Sequence, residues 1–391
     1  MKILISAYAC EPNSGSESEI GWSWIKLHIK KRNKLYVITR KSNRKKILKK
    51  LKYNKNKNIF FLFYDLPIFF IKLFKHYNKN SYIYFLLWQI GIYFKYKSFI
   101  NSSRIELIHH VTFGSVRIPS FLFLTNKKFI YGPLAGGETV PKNLLKSFTL
   151  KSKFFEYLRF FSNITIKYSI FMNRVFTKSA KIFLANEQTL KLVNKKFLKK
   201  CKVVPTLFNK KIDFKIKSKN SHQVYFAGRL IDWKGIEILK KIFTILDKSN
   251  LNIVLNIYGE GNLKNNIKDF ISKKNFNNKI RMFNFLKQKI LLKKIKENDL
   301  LIFPTLRDSG GYVILEALNN NINIITTNAA GPKSLIIKNE IGLINIYKKT
   351  EDEIAKNFAN KIIKFYKKKR TYRVKLNKYL NEDNKYEYIY N

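Results

Sequence analysis

Glycine is scarce in this chain, at 15 of 391 residues, and its placement constrains the fold more than any other feature. Most of the glycines follow an apolar run that reads as a buried strand. Gly15 and Gly21 come after residues 2–9, and Gly132, Gly136 and Gly137 after 128–131. Gly228 and Gly235 follow 223–227, Gly259 and Gly261 follow 252–258, Gly310 and Gly311 follow 300–303, and Gly331 follows 322–326. Only Gly91, Gly114 and Gly342 lie elsewhere. Glycine lets backbone N–H groups come close to a ligand, and open parallel α/β sheets bind ligands at the carboxyl ends of their strands. Loops also collect glycine for purely structural reasons. That explains Gly342 well and the pairs Gly136-Gly137 and Gly310-Gly311 less well.

The runs between these loops alternate in period as βα units do. Residues 2–9 and 34–39 predict strands flanking a helix over 20–30, and 105–111 and 128–131 predict further strands. The aromatic stretch 59–100 is harder to divide. A polar segment at 209–222 has no apolar periodicity and reads as a linker. After it, strands at 223–227, 252–258, 300–303 and 322–326 alternate with helices at 236–247, 263–272 and 313–318, and a Lys-rich helix over 351–369 closes the series. The expectation is two α/β domains with parallel sheets, 1–208 and 223–370, with a tail at 371–391 packing back on the first.

The formal net charge is +52, from 77 basic and 25 acidic residues. So basic a chain suggests a phosphate-bearing partner, nucleic acid or anionic membrane. Only 12 of the basic residues are arginine, and Asn, Ile, Phe and Tyr abound beside Lys. All of these use A/T-rich codons, so genome composition explains the charge better than nucleic-acid binding, and no nucleic-acid partner is expected. The aromatics also sit in apolar runs rather than among the basic residues, unlike a base-stacking surface. The basic surface would still attract acidic headgroups. Cys10 and Cys201 cannot build a disulfide framework, which predicts a reducing cytoplasm. The opening residues 1–9 read as too short and too soon acidic for a signal peptide. The apolar run 82–94 is shorter than the roughly 20 residues of a spanning helix. It reads as a core helix, with a helix resting on the bilayer as the alternative. Trp22, Trp24 and Trp88 read as core.

Two strand-to-helix junctions carry the chemistry. In Thr305-Leu306-Arg307-Asp308-Ser309-Gly310-Gly311-Tyr312-Val313-Ile314-Leu315-Glu316, the two glycines would place free N–H groups at a helix start, where the dipole favours an anion. Asp308 and Glu316 lie about two helical turns apart, and each carboxylate can accept two hydroxyl hydrogen bonds from a ribose or hexose. An N-cap role for Asp308 and a solvated face for Glu316 are the structural alternatives. In Ala227-Gly228-Arg229-Leu230-Ile231-Asp232-Trp233-Lys234-Gly235, two cations five positions apart can clamp a diphosphate. Two ordinary surface cations would look the same.

These stretches resemble the donor-binding half of the family-4 retaining glycosyltransferases of GT-B fold. The N-terminal half resembles a bacterial branch of that family through Ala7-Tyr8-Ala9-Cys10-Glu11-Pro12, Gly15-Ser16-Glu17, Gly21-Trp22-Ser23-Trp24 and Thr39-Arg40 with Asn43-Arg44. Asp65-Leu66-Pro67, Trp88-Gln89, His109-His110-Val111-Thr112 and Gly132-Pro133-Leu134-Ala135-Gly136-Gly137-Glu138 continue it. The resemblance implies two facing Rossmann-like domains, acceptor-side then donor-side, with the donor cleft between them. It implies that Gly15 approaches the donor diphosphate, that His110 contacts the transferred sugar, and that Arg229 and Lys234 neutralise the departing diphosphate. Asp308 takes the first acidic position of a Glu-x7-Glu motif and would hold sugar hydroxyls. Ser309, Gly310 and Gly311 would offer N–H groups, Glu316 would bind the ribose, and Glu260 would lie near the base. The first acid is Asp308 where Glu is more usual, and Ser-Gly-Gly stands for the common Gly-Phe-Gly, which leaves the donor sugar open. On the residues alone, His110 reads as a buried, hydrogen-bonded histidine.

The implied reaction is retaining transfer of a hexose-type sugar from a nucleotide-diphosphate sugar to a glycan or lipid-linked acceptor in surface polysaccharide synthesis. No metal or other cofactor is expected, since the basic pair could take a metal's place. Peripheral contact with the anionic inner face of the cell membrane, through residues 60–100, is a further expectation. A nucleotide-sugar epimerase or a phosphorylase on the same fold is the rival enzyme reading, and a basic nucleic-acid-binding protein the rival of another class.

Overall fold

The computed structural model describes residues 1–12, 16–51, 58–73, 82–208, 222–286, 288–295, 299–336, 342–368 and 376–390. The chain divides into two compact units. The first comprises Met1–Gly137, Ser162–Phe208 and Asn381–Asn391, and the second Glu138–Phe161 and Asn209–Leu380. The segment Glu138–Phe161, inside the span expected for the first domain, thus belongs to the second unit. Of the expected linker, residues 209–221 lie outside the described residues.

The first unit is built on β1 (Lys2–Ala7), β2 (Lys34–Arg40), β3 (Ile59–Tyr64), β4 (Leu107–Thr112), β5 (Lys128–Leu134), β6 (Lys181–Leu184) and β7 (Cys201–Val203). All pair in parallel, in the order β3-β2-β1-β4-β5-β6-β7. The order reverses between β1 and β4, the doubly wound arrangement. A strand covered on both faces must read as a near-continuous apolar run. In β4 every residue is buried, His109 and His110 included. The expected helix after β1 is Ser16–Lys30, and Trp22, Trp24 and Trp88 are all buried. The apolar run 82–94 lies within a longer helix, Tyr82–Ser102. It buries Tyr84, Phe85, Trp88, Ile92, Tyr96 and Ile100 in the core and exposes Tyr82, Ile83 and Phe94. Among the described residues no helix is long and apolar enough to cross a membrane. The C-terminal helix Glu382–Tyr390 closes this unit. The Tyr390 hydroxyl sits 2.8 Å from His28 Nε2 and 2.5 Å from His109 Nδ1, and the buried Lys385 ammonium donates to the carbonyls of Pro205 and Leu207.

The second unit carries β8 (Gln223–Ala227), β9 (Val254–Tyr258), β10 (Ile280–Phe283), β11 (Leu300–Phe303), β12 (Asn323–Thr327) and β13 (Leu343–Ile344), again all parallel. Their order, β10-β9-β8-β11-β12-β13, reverses between β8 and β11. The helix Ile236–Asp247 buries Ile236, Ile238, Leu239, Ile242, Phe243 and Leu246, and the helix Glu351–Lys368 packs against it with Ile354, Phe358 and Ile362. Each such side chain contributes about 1.5–3 kcal/mol by leaving water. The sequence-derived strand and helix bounds of this unit fall within two residues of those observed. β10 and β13 were not expected.

Candidate active site

The loops that leave β8 and β11 meet at the reversal point of the second sheet. Gly235 has φ +75°, and a Cβ there would stand 2.0 Å from the Pro304 carbonyl oxygen, so the turn after β8 can press against the end of β11 only as glycine. The Trp233 carbonyl accepts from Leu306 N–H at 2.9 Å and from Thr305 Oγ1 at 3.2 Å. These contacts fix Lys234 beside Asp308.

The Lys234 ammonium donates to Asp308 Oδ2. The other carboxylate oxygen, Oδ1, accepts from Gly310 N–H at 3.0 Å and from Gly311 N–H at 2.8 Å. Burial pushes the Asp308 carboxyl up, but Lys234 and the two N–H groups outweigh it and hold the group below its ordinary range. The expectation of free N–H groups at 310 and 311 is therefore corrected: the side chain of Asp308 itself caps them. Gly311, at φ +66°, opens the helix Tyr312–Asn319. Gly331 packs under the turn, its N–H donating to the Asp308 carbonyl at 2.8 Å.

Arg229 is exposed, and its guanidinium lies 5.9 Å from the centre of the Trp233 ring. Arg307 lies 4.6 Å from the same ring. One indole thus carries two cations, each contact worth about 0.5–1 kcal/mol at partly exposed sites. Arg307 also donates to Glu156 Oε1 at 2.7 Å. Burial first, then Arg159, pushes the Arg307 guanidinium down to about 10 against the pull of Glu156, so it remains charged near neutral pH. Asp232 accepts from Thr149 N–H at 3.0 Å and from Ser152 Oγ at 2.6 Å.

Glu316 is half-buried, and burial pushes its carboxyl up to about 8. Glu260 is exposed, and its carboxylate pairs with Lys264 at 2.9 Å. Ser309 is exposed in the turn. His110 lies in the first unit, buried, with Nδ1 3.2 Å from Ser6 Oγ and Nε2 3.3 Å from the Phe113 carbonyl. Burial lowers its ring to about 4, so it is neutral near pH 7. Gly15 lies outside the described residues. The structure therefore brings Lys234, Asp308, Gly310 and Gly311 into one hydrogen-bonded group, with Arg229 joined to it through Trp233.

Residues 208–384 match the family model for glycosyl transferases, group 1. The whole Lys234–Asp308 group, with Arg229, Glu260 and Glu316, falls inside that stretch, and His110 falls outside it. Two uncharacterized glycosyltransferases of Methanocaldococcus jannaschii are similar. One is 29% identical over 133 residues, 34% of this chain and 33% of the relative. The other is 26% identical over 186 residues, 44% of this chain and 45% of the relative. The match therefore spans less than half the length of either relative.

Among solved structures, the lipopolysaccharide outer core galactosyltransferase WaaB superposes with a TM-score of 0.59 at 12% identity over 99% of each chain. TarM gives 0.60 at 13% identity over 94% of this chain and 92% of its own. Anabaena HepE, solved in complex with UDP-glucose, gives 0.55 at 13% identity over 100% and 96%. At these identities the likeness shows the fold: two Rossmann-like α/β units of the GT-B type.

Asp232, Trp233 and Arg307 lie inside the two junctions picked out in the sequence, but nothing there gave them a role, and the segment Glu138–Phe161 was not expected beside them. The available signals were Arg307 as one of few arginines and Glu156 as the lone acid of its helix.

Proposed function

We propose that this chain is a retaining glycosyltransferase. It moves a hexose-type sugar from a nucleotide-diphosphate sugar to a glycan or lipid-linked acceptor in surface polysaccharide synthesis, and it does so without a metal. One observation carries the reading. Lys234, Asp308 and the N–H groups of Gly310 and Gly311 form a single polar group at the reversal point of a parallel sheet, where such sheets bind nucleotides.

Breaking a glycosyl–phosphate bond builds negative charge on the leaving diphosphate and positive charge on the ring. Fixed cations aimed at the diphosphate stabilise that state. In this reading Lys234 and Arg229 face the diphosphate. Asp308 aligns Lys234, holds the turn closed before the donor arrives, and then turns its acceptor oxygens to sugar hydroxyls. Ser309, Gly310 and Gly311 then present their N–H groups to sugar and phosphate, Glu316 accepts from the ribose hydroxyls, and Glu260 lies near the base. His110, neutral and held by Ser6 and Phe113, is the first-unit residue assigned to the sugar, and Gly15 the residue assigned to the diphosphate. The acceptor hydroxyl attacks from the face the diphosphate leaves. Its proton passes to the departing phosphate oxygen, so no carboxylate nucleophile is needed, unlike in retaining glycosidases.

The test is a thermal-shift screen against nucleotides and nucleotide sugars, beginning with UDP-sugars because HepE is solved with UDP-glucose. A ligand that binds only the folded protein raises its melting temperature, by the energy equivalent of about 2.7 kcal/mol at a hundredfold excess over Kd. A rise with one nucleotide-diphosphate sugar, followed by acceptor-dependent loss of that donor, supports the reading. An altered nucleotide sugar formed from donor alone would make the protein an epimerase. Turnover that requires free phosphate would make it a phosphorylase.

A further inference from the structure

The helix Leu150–Ile166 is built inside out. In its part within the second unit, Ser152 and Glu156 are buried, at 8% and 1% exposure. Leu150, Phe154, Phe155, Tyr157, Leu158 and Phe161 stand 47–82% exposed. The spacing 150, 154, 157, 158, 161 is a single helical stripe, and Phe155 flanks it beside Leu158, so the six form one broad apolar face. Single exposed apolar residues are ordinary, whereas a contiguous face of this size marks an interaction surface.

The inward side is committed. Ser152 Oγ donates to Asp232 Oδ2, and Glu156 accepts from Arg307 at 2.7 Å. Turning the helix to hide its aromatics would strip both partners and leave the buried charge of Arg307 without its carboxylate. The outward side also has a definite charge. Glu156 is the only acid in the helix and it points inward, while Lys142, Lys146 and Lys151 are exposed at and before the helix start. Lys142 lies 5.6 Å from the centre of the Phe160 ring, and an acid beside this stretch, Glu351, accepts from Ser147 Oγ. Aromatic and leucine side chains beside solvent-facing lysines are the pattern of a helix that lies in a membrane interface. A second copy of this chain is a poor occupant, because the same lysines would face each other on chains of net charge +52.

We propose that this face docks the protein on an anionic bilayer, with Phe154, Phe155, Leu158 and Phe161 at the headgroup–acyl boundary and Lys142, Lys146 and Lys151 among the lipid phosphates. The proposal goes beyond the reaction above and does not depend on it. Through Asp232 and Arg307 the docked helix is bonded to the loops that carry Lys234 and Asp308, so docking would set those loops at a fixed position relative to the membrane surface. This places the contact on residues 150–161 rather than on 60–100.

The experiment is co-sedimentation of the full chain with phosphatidylcholine vesicles, with and without phosphatidylglycerol, in the absence of donor and acceptor. Wild type is expected to bind the anionic vesicles about tenfold or more tightly than the neutral ones. The Phe154→Ser, Phe161→Ser double variant is expected to lose about tenfold in that binding with an unchanged melting temperature. Lys151→Glu is expected to weaken it, and Phe94→Ser, an exposed aromatic on another helix, to leave it unchanged. Equal binding by the double variant would overturn the proposal, since the basic surface alone would then suffice. So would equal binding to neutral vesicles. A wild type that sediments as a dimer, becomes monomeric in the double variant and ignores vesicles would assign the face to self-association instead.

Discussion

Lys234 and Asp308 form an ion pair across 74 positions of sequence, each in the loop that leaves one of two adjacent parallel strands. The pair is mostly enclosed, with side-chain exposures of 12% and 14%. An exposed pair would contribute little. Here the carboxylate also serves two N–H groups, so the ammonium is held at one point in the turn. A cation fixed before the reaction begins needs no reorganisation as charge develops, and the first prediction follows from that.

Lys234→Ala should lower turnover by about 10²–10³-fold while changing the apparent donor affinity by only a few-fold, because the cation acts chiefly on the departing diphosphate. Steady-state kinetics with the donor found in the thermal screen measures both. Unchanged turnover would remove Lys234 from the mechanism.

Gly235→Ala should destabilise the second unit by about 2 kcal/mol or more, since it sets a Cβ against the Pro304 carbonyl at a positive φ. A urea titration reads this as a lower midpoint. Gly228→Ala is the control. Its Cβ would meet only the Phe226 and Phe303 rings at 3.5 Å, ordinary contact, and the midpoint should move far less.

Glu316 gives a pH signature. Its carboxyl titrates near about 4.3 in an unfolded chain and is pushed up to about 8 by burial in the fold. The folded state holds the proton more tightly, so this stabilising contribution is complete below the unfolded value and is lost as pH rises through 8. Glu316→Gln cannot ionise and escapes the loss. Its melting temperature should match wild type near pH 4 and exceed it by about 5 °C or more at pH 9. Parallel curves for the two proteins would show that Glu316 ionises freely.

Glu156→Gln should cost about 2–3 kcal/mol by leaving the Arg307 guanidinium without its carboxylate. Adding Arg307→Gln should recover part of that loss. A double-mutant cycle by denaturant unfolding measures the coupling, and strictly additive losses would mean that the pair is not formed in solution.

How much of this was legible in the sequence depended on burial. Strands β8, β9, β11 and β12 are covered on both faces, so they read as apolar runs ended by glycine, and their bounds came out within two residues. β10 is half exposed, with Arg281 and Phe283 facing outward, and so shows no continuous run. β3 is a half-buried edge strand in which four of six residues are aromatic and all six apolar, so no alternation separates it from the apolar helices that follow. The helix Leu150–Ile166 escaped notice because periodicity is read on the rule that apolar residues face inward, and here Ser152 and Glu156 do. At the site, the sequence put Lys234 and the 308–311 turn at strand ends on one sheet edge and left a capping role for Asp308 as the alternative to free N–H groups, but it could not decide between the two. That depends on the side-chain rotamer of Asp308 in a turn of four residues. The ties from Glu156 and Ser152 to Arg307 and Asp232 join distant segments, and no local pattern announces them.

The central claim is that the groups around Lys234 and Asp308 receive a diphosphate. Calorimetric titration with nucleotide-diphosphate sugars tests it most directly, on wild type and on the Arg229→Met, Lys234→Met double variant. Saturable heat with at least one such donor, and a loss of about tenfold in affinity when both cations are gone, is the predicted result. Equal affinity in the double variant, or no heat with any donor of the panel, would contradict the account.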